Sequence, residues 1–376
     1  MISRKCASCF IRKQSTSVWL KRRWKMSETR IFDKIDFGVL SDLLVQEDIR
    51  DINCLNHNEI WVTSNHHGHY RLTDRSIQET EINRIANQVA NKMEKEFNPG
   101  SPCLEGDIHD ADLDLRVSAI HEELSVSGVT LALRKVSRAS MLSEDYLVES
   151  GFITRPALQF LIRCIRYRCN MIFVGETGSG KTEFLKFLAT YIPVDQRIVT
   201  IEDSLEFNIK EIHPEASCSA FRVRPGFDYS AIIAMALRQN VNWILLQEAR
   251  GKEVDDLLDA MSTGHTVLTT MHTRGADTVT TRIKQMMKND AESMSSLEMR
   301  VYSLVDLVVH LKKETGKQGI VRSVDEIIEY LYDPKSRQCT QHVLYRARTG
   351  RLNRCSPELQ RRLGMTETKE KKSCAE

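Results

Sequence analysis

Residues 171–182, Met171-Ile172-Phe173-Val174-Gly175-Glu176-Thr177-Gly178-Ser179-Gly180-Lys181-Thr182, decide the fold of this 376-residue chain. Four apolar residues make a buried strand, and the next eight fit G-x-x-x-x-G-K-[ST], the P-loop, which joins a strand to a helix. The helix is legible behind it, because Phe184, Leu185, Leu188, Tyr191 and Ile192 form an apolar face that stops at Pro193. Glycines let backbone N–H groups converge on phosphate oxygens at a helix N-terminus whose dipole favours anions. Lys181 is expected to neutralise β/γ-phosphate charge and Thr182 to supply a Mg²⁺ ligand. Gly175, Glu176, Thr177, Gly178, Ser179, Gly180, Lys181 and Thr182 are therefore the candidate nucleotide-binding residues.

Working outward, short apolar runs at 198–201, 244–246 and 266–270 alternate with helical patterns such as 253–262, where Val254, Leu257, Leu258 and Met261 share a face. This alternation marks βαβ units and a largely parallel sheet, hence an α/β fold. Ligands of such sheets collect at the carboxyl ends of strands. Hydrolysis needs one carboxylate for Mg²⁺ and another to orient water, and two strands end suitably. The run 198–201 leads into Glu202 and Asp203, and 243–246 leads through Gln247 into Glu248.

Upstream, Ile49, Ile52, Leu55, Ile60 and Val62 read as strands with a turn at His66-His67-Gly68. Ile82, Ile85, Ala86, Val89 and Met93 recur at helical spacing before Asn98-Pro99-Gly100, and strand-like runs follow at 113–120 and 128–133. The expected layout is a basic leader at 1–30, a small α+β domain at 31–136, a linker at 137–150, the P-loop domain at 151–350 and a charged tail at 351–376. No internal repeat is visible.

The composition is 41% hydrophobic and 28% charged, which excludes a disordered or low-complexity chain. No apolar run has the length of a membrane-spanning helix. The net charge of +2 conceals a division: residues 1–25 carry eight bases and no acid, whereas residues 26–350 sum to −9. An acidic body disfavours tracking along a nucleic-acid backbone, so no direct nucleic-acid binding is expected. The leader fits a segment touching anionic lipid, an upstream extension with its functional start at Met26, or a disordered tail; the last two fit better. Cys6 and Cys9 are the one close cysteine pair, with no second pair to complete a zinc site, so free thiols in a reducing cytoplasm are expected.

Four segments together resemble the ATPases of type II and type IV secretion systems: GETGSGKT (175–182), IVTIEDSLEF (198–207), WILLQEARG (243–251) and STGHTVLTTMHT (262–273). Weaker similarity extends over 37–350. The short N-terminal domain and the missing tetracysteine insertion point to the Flp/Tad-pilus and conjugation-type branch. The resemblance implies a RecA-like P-loop core and assigns Glu202 as the base orienting water. It makes Glu248 a Mg²⁺ holder beside Thr182 and His265 and His272 the His-box pair. Arg116, Arg134 and Arg238 are the arginines implied to stabilise charge on the γ-phosphoryl group. Gln247 stands where the family usually carries glycine, close enough to crowd the lytic water or bond it, and Glu183 replaces a small hydroxyl residue.

The function so implied is that of an ATP-hydrolysing homo-hexameric motor, with ATP and Mg²⁺ as cofactors. It would act at the cytoplasmic face of the inner or plasma membrane on a platform protein of a pilus, secretion or conjugation apparatus. ATP would lie between the core of one subunit and the N-terminal domain of its neighbour, the two domains closing on the linker. A nucleotide-binding assembly regulator with little turnover, which Gln247 favours, and a RecA-like DNA motor are the alternatives.

Overall fold

The computed structural model describes residues 35–55, 58–109, 113–136, 142–287, 292–316 and 319–365. The basic leader with Cys6, Cys9 and Met26, part of the expected linker and the end of the tail lie outside the described residues. Two sheets organise what is described.

The first comprises β1 (Ile49–Leu55), β2 (Glu59–Ser64), β3 (Gly68–Arg71), β4 (Cys103–His109), β5 (Asp114–Ile120) and β6 (Thr130–Val136). Their order is β3-β2-β1-β6-β5-β4, antiparallel throughout. Short α1 (Ser41–Val45) and the longer α2 (Glu79–Lys92) accompany it, and α2 buries the expected face of Ile82, Ile85, Ala86 and Val89 in the same core as Leu104, Leu115, Val117, Leu131 and Leu133. β4 is absent from the sequence reading because only Leu104 and Ile108 of CLEGDIH are buried apolar residues, four apart, on an edge strand. Side chains alternate across a strand, so burying Leu115 and Val117 in β5 and Leu131 and Leu133 in β6 turns Arg116 and Arg134 to the opposite face. Register then aligns one row across four strands: Asp107 opposite Arg116, Arg116 opposite Arg134, and Arg134 opposite Asp51.

The second sheet comprises β7 (Met171–Val174), β8 (Arg197–Glu202), β9 (Ser217–Arg222), β10 (Trp243–Leu246), β11 (Thr266–Met271), β12 (Leu307–Gly316), β13 (Gly319–Asp333) and β14 (Gln338–Arg346). The order is β14-β13-β12-β7-β11-β10-β8-β9, parallel from β12 to β9 with β13 and β14 added as an antiparallel meander. Around it run α3 (Glu144–Glu149), α4 (Arg155–Arg166), α5 (Lys181–Ala189), α6 (Ile209–Ile212), α7 (Tyr229–Ala236), α8 (Glu253–Ser262), α9 (Val279–Met286), α10 (Met294–Leu304) and α11 (Pro357–Arg362). Met171 and Phe173 of β7 join the core formed with α4, α5 and α11, while Ile172 and Val174 join the one formed with α7 to α10. Both faces of the sheet are covered, which is why its strands read as continuous apolar runs.

Two boundaries differ from expectation. Within the expected linker, Ser143 caps α3 by accepting from Tyr146 N and Leu147 is fully buried. Within the expected tail, Ser356 caps α11, Leu359 and Leu363 are buried, and the carboxylate of buried Glu329 receives the Ser356 N–H at 2.9 Å and its hydroxyl at 2.5 Å. Isolated apolar residues among charges give little periodic signal in segments this short.

Candidate nucleotide site

The P-loop leaves β7 as expected. Gly175, Gly178 and Gly180 have φ of 145°, 78° and 93°, and α5 begins at Lys181. Gly175 also lacks room for a side chain, since a Cβ there would lie 2.2 Å from Leu311 O of β12. Among the described residues the buried Ser179 hydroxyl has no hydrogen-bond partner, and Lys181, only 6% exposed, donates to Gly175 O at 3.0 Å and Glu176 O at 2.9 Å. Burial holds the Lys181 ammonium down at about 8, against the pull of Glu248 and Glu176. Left-handed glycines, an unpartnered hydroxyl and a desolvated ammonium at a helix N-terminus fit a phosphate chain.

The parallel register brings the carboxyl ends of β7, β11, β10 and β8 side by side. His272, just past β11, bridges the loop to the acid after β10. Its Nδ1 accepts from Lys181 Nζ at 3.3 Å and its Nε2 lies 3.4 Å from Glu248 Oε2. Burial alone would raise Glu248, but hydrogen bonds from His272 and Arg250 outweigh it and hold the carboxyl at about 2. Glu248 is thus ionised, and it and Thr182, the half-buried residue after Lys181 in the first turn of α5, carry oxygen donors of the kind that Mg²⁺ takes.

Arg250 continues the connection. It donates to Glu248 at 2.9 Å and to Asp203 at 2.9 Å, and Asp203 in turn accepts from Arg116 of β5 at 3.0 Å. Lys181, His272, Glu248, Arg250, Asp203 and Arg116 therefore form one connected path from the P-loop to the N-terminal domain of the same chain. Arg116 also lies 3.7 Å from Asp107, and Arg134 donates to Asp51 at 2.6 Å.

Glu202 does not face the loop as expected. It is 1% exposed, and its oxygens accept from Thr200 Oγ1 at 3.0 Å, Glu206 N at 2.6 Å and Phe207 N at 2.8 Å. Burial raises it to about 6 despite those hydrogen bonds, and its effect is to fold the segment after β8 into a turn. That turn presents Glu206, the acid sequence reasoning missed. Burial raises Glu206 too, while Arg116, a hydrogen bond from Gln247 and the charge of Arg134 oppose the rise. Gln247 bridges the turn: its Oε1 accepts from Asp203 N at 3.2 Å and its amide donates to Glu206. Glu206 lies in the same quoted segment as Glu202, but only the backbone geometry separates a turn-forming acid from a facing one. Arg250 was missed likewise, as one of many exposed-looking arginines.

The other two candidates lie elsewhere. His265 precedes β11, its Nδ1 3.1 Å from Thr263 Oγ1 and 3.3 Å from Ala260 O, beside Arg168 and Asn170. A six-residue strand, roughly 20 Å, separates it from His272. Arg238 is exposed in the single turn Leu237–Gln239 shortly before β10, at that same far edge.

A parallel sheet covered on both faces, with a phosphate loop after its central strand and acids at the neighbouring strand ends, defines a RecA-like P-loop nucleotide-binding domain. More particularly, the chain belongs to the type II/IV secretion system protein family, whose model matches residues 68–374. An uncharacterised protein of Bacillus anthracis is 29% identical over 324 residues, 81% of this chain and 72% of its own length. The type IV secretion system protein VirB11 of Brucella suis is 29% identical over 243 residues, 56% of this chain and 66% of its own. Among solved structures, the ATPase DotB of Legionella pneumophila shares the fold at 19% identity and a TM-score of 0.57, over 77% of this chain and 78% of that one.

Proposed function

We propose that this chain hydrolyses ATP as a subunit of a homo-hexameric motor acting on the membrane platform of a secretion, pilus or conjugation apparatus, from the cytoplasmic face. The observation that supports it best is the continuous path from Lys181 to Arg116, by which a change at the phosphate loop is felt in the N-terminal domain. Residues 175–182 hold the triphosphate, with Lys181 turning from its loop carbonyls to the phosphates. Thr182 and Glu248 hold Mg²⁺, which supplies Lewis-acid stabilisation of phosphate charge when bound. Glu206 takes the role of water-orienting base assigned to Glu202 on sequence. Arg116 and Arg134, from the chain's own N-terminal domain rather than a neighbour's, offer charge to the γ-phosphoryl oxygens. Phosphate release from Lys181→Ala and Glu206→Gln tests this: both should fall at least about 100-fold, and a Glu206→Gln variant with wild-type turnover overturns the assignment. Sedimentation with nucleotide tests the hexamer.

Gln247 supports a second reading, a nucleotide-binding assembly regulator. Its amide occupies the Glu206 carboxylate and the Asp203 N–H at once, which restrains the acid that water must meet. A large gain of turnover in Gln247→Gly marks a throttled motor; equal near-zero turnover in both proteins marks the regulator.

A further inference from the structure

The cations described so far approach the phosphate loop from the side of the acids. A second group approaches its outer wall. Arg50 comes from β1 of the N-terminal domain, and Lys313 and Arg322 stand opposite each other on β12 and β13, so two distant segments converge on one glycine. A Cβ placed on Gly178 would lie 3.6 Å from Arg50 Nη1 and 3.7 Å from Lys313 Nζ, and one placed on Gly180 would lie 3.6 Å from Arg322 Cδ. Arg322 Nε donates to Gly178 O at 2.8 Å, and its Nη1 reaches Asn65 O of the N-terminal domain at 3.2 Å. The backbone repeats that link, Ile320 N donating to His66 O at 2.8 Å.

The charges are poorly compensated. Arg50 has Asp51 at 3.1 Å, but Asp51 also holds Arg134. Among the described residues neither Lys313 nor Arg322 pairs with a carboxylate, and Lys312, the exposed neighbour, takes Glu314. Arg322 is half-buried, and its guanidinium is driven below its ordinary value by burial and then by Arg50. A fold that gathers three cations around left-handed glycines, with only the shared Asp51 paired to any of them among the described residues, is arranged for an external polyanion.

We propose that Arg50, Lys313 and Arg322 form a second cationic wall for the phosphate chain of the nucleotide held by residues 175–182. That wall makes two or more linked phosphates a requirement for binding and ties their arrival to the N-terminal domain through Arg322. This rests on the nucleotide reading of the loop and adds two ligating residues and one positioning residue from outside it. Lys313 and Arg50 are the phosphate contacts; Arg322 is a positioning residue, since its hydrogen bonds go to Gly178 O and Asn65 O.

The test is binding by the full chain, free of turnover. Dissociation constants for ADP, ATPγS, inorganic tripolyphosphate and adenosine are measured by displacement of a fluorescent nucleotide, for the wild type, Arg50→Gln, Lys313→Gln, Arg322→Lys and Lys181→Ala. The expected result is a rise of about fivefold or more for ADP, ATPγS and tripolyphosphate in Arg50→Gln and Lys313→Gln, weakened salt dependence, and an unchanged constant for adenosine. Arg322→Lys, which keeps charge but loses the two-carbonyl bridge, should weaken ADP and ATPγS equally. Unchanged polyphosphate binding in Arg50→Gln and Lys313→Gln, with Lys181→Ala defective, overturns the wall and leaves the loop reading intact. Unchanged binding in Lys181→Ala overturns the loop reading itself. Equal losses for adenosine and ADP in a variant of unaltered melting temperature also overturn the wall, because they trace to the base side of the site.

Discussion

Lys181 offers a quantitative test of the site, with pH as the perturbation. Its ammonium is 6% exposed and held at about 8 instead of the ordinary 10.5. At ~1.4 kcal/mol per unit this is about 3 kcal/mol of disfavoured charge. A base depressed on folding is protonated in both folded and unfolded chains below about 8, so the burden is fully present at neutral pH. It is relieved as pH rises from there towards 10.5, and the nucleotide-free protein should gain stability across that window. Phosphate oxygens around the ammonium restore its ordinary affinity for protons, so binding must take one up wherever the free protein has lost it. The expected uptake on ADP binding is about 0.1 proton at pH 7 and about 0.9 at pH 9, with the dissociation constant rising about tenfold per unit above pH 8. Calorimetry in buffers of different ionisation enthalpy reads the uptake directly. Lys181→Arg, whose guanidinium stays charged, should lose the uptake. No uptake at pH 9, or the same uptake in Lys181→Arg, refutes the reasoning.

Glu202 predicts the opposite slope. It is raised from 4.5 to about 6, so the wild type should lose about 2 kcal/mol of stability as pH rises through that window. Glu202→Gln should lack this dependence in denaturant titrations while its turnover changes far less than that of Glu206→Gln. Gly175→Ala should be destabilised by ~2 kcal/mol or more, because its Cβ would meet Leu311 O at a φ of 145°. Leu363→Ala should lose about 2–4 kcal/mol although it lies in a segment the sequence marks as tail, since the side chain is fully buried. An exposed-residue value near zero in urea titration would show that α11 is not docked.

What the sequence made legible was whatever depends on local pattern. The P-loop, the strands flanking it and the apolar face of α2 follow from spacing alone. The carboxyl-end position of Glu248 and His272 follows from strand order. Glu202 and Glu206 show the limit: they stand four residues apart beside the same strand, and hydrogen bonds from Glu206 N and Phe207 N tie Glu202 into the turn and leave Glu206 beside Gln247 and Arg116. His265 shows it again, since a box of two histidines spans a whole strand and only one end reaches Lys181 of the loop. Arg50, Arg322 and Lys313 carry no mark in sequence, because their meeting at Gly178 depends on how a hairpin from one sheet touches a turn of the other.

The row Asp107, Arg116, Arg134, Asp51 has a consequence for how this chain tolerates insertions and deletions. Every member reaches its face by parity along its strand. Removing one residue from β5 before Arg116 would turn Leu115 or Val117 towards Asp203 and send the arginine into the core. Composition and length would hardly change, yet two charged contacts would be exchanged for a buried cation. Length variation in the N-terminal domain should therefore be confined to turns such as 121–128, while strands β5 and β6 keep a fixed residue count.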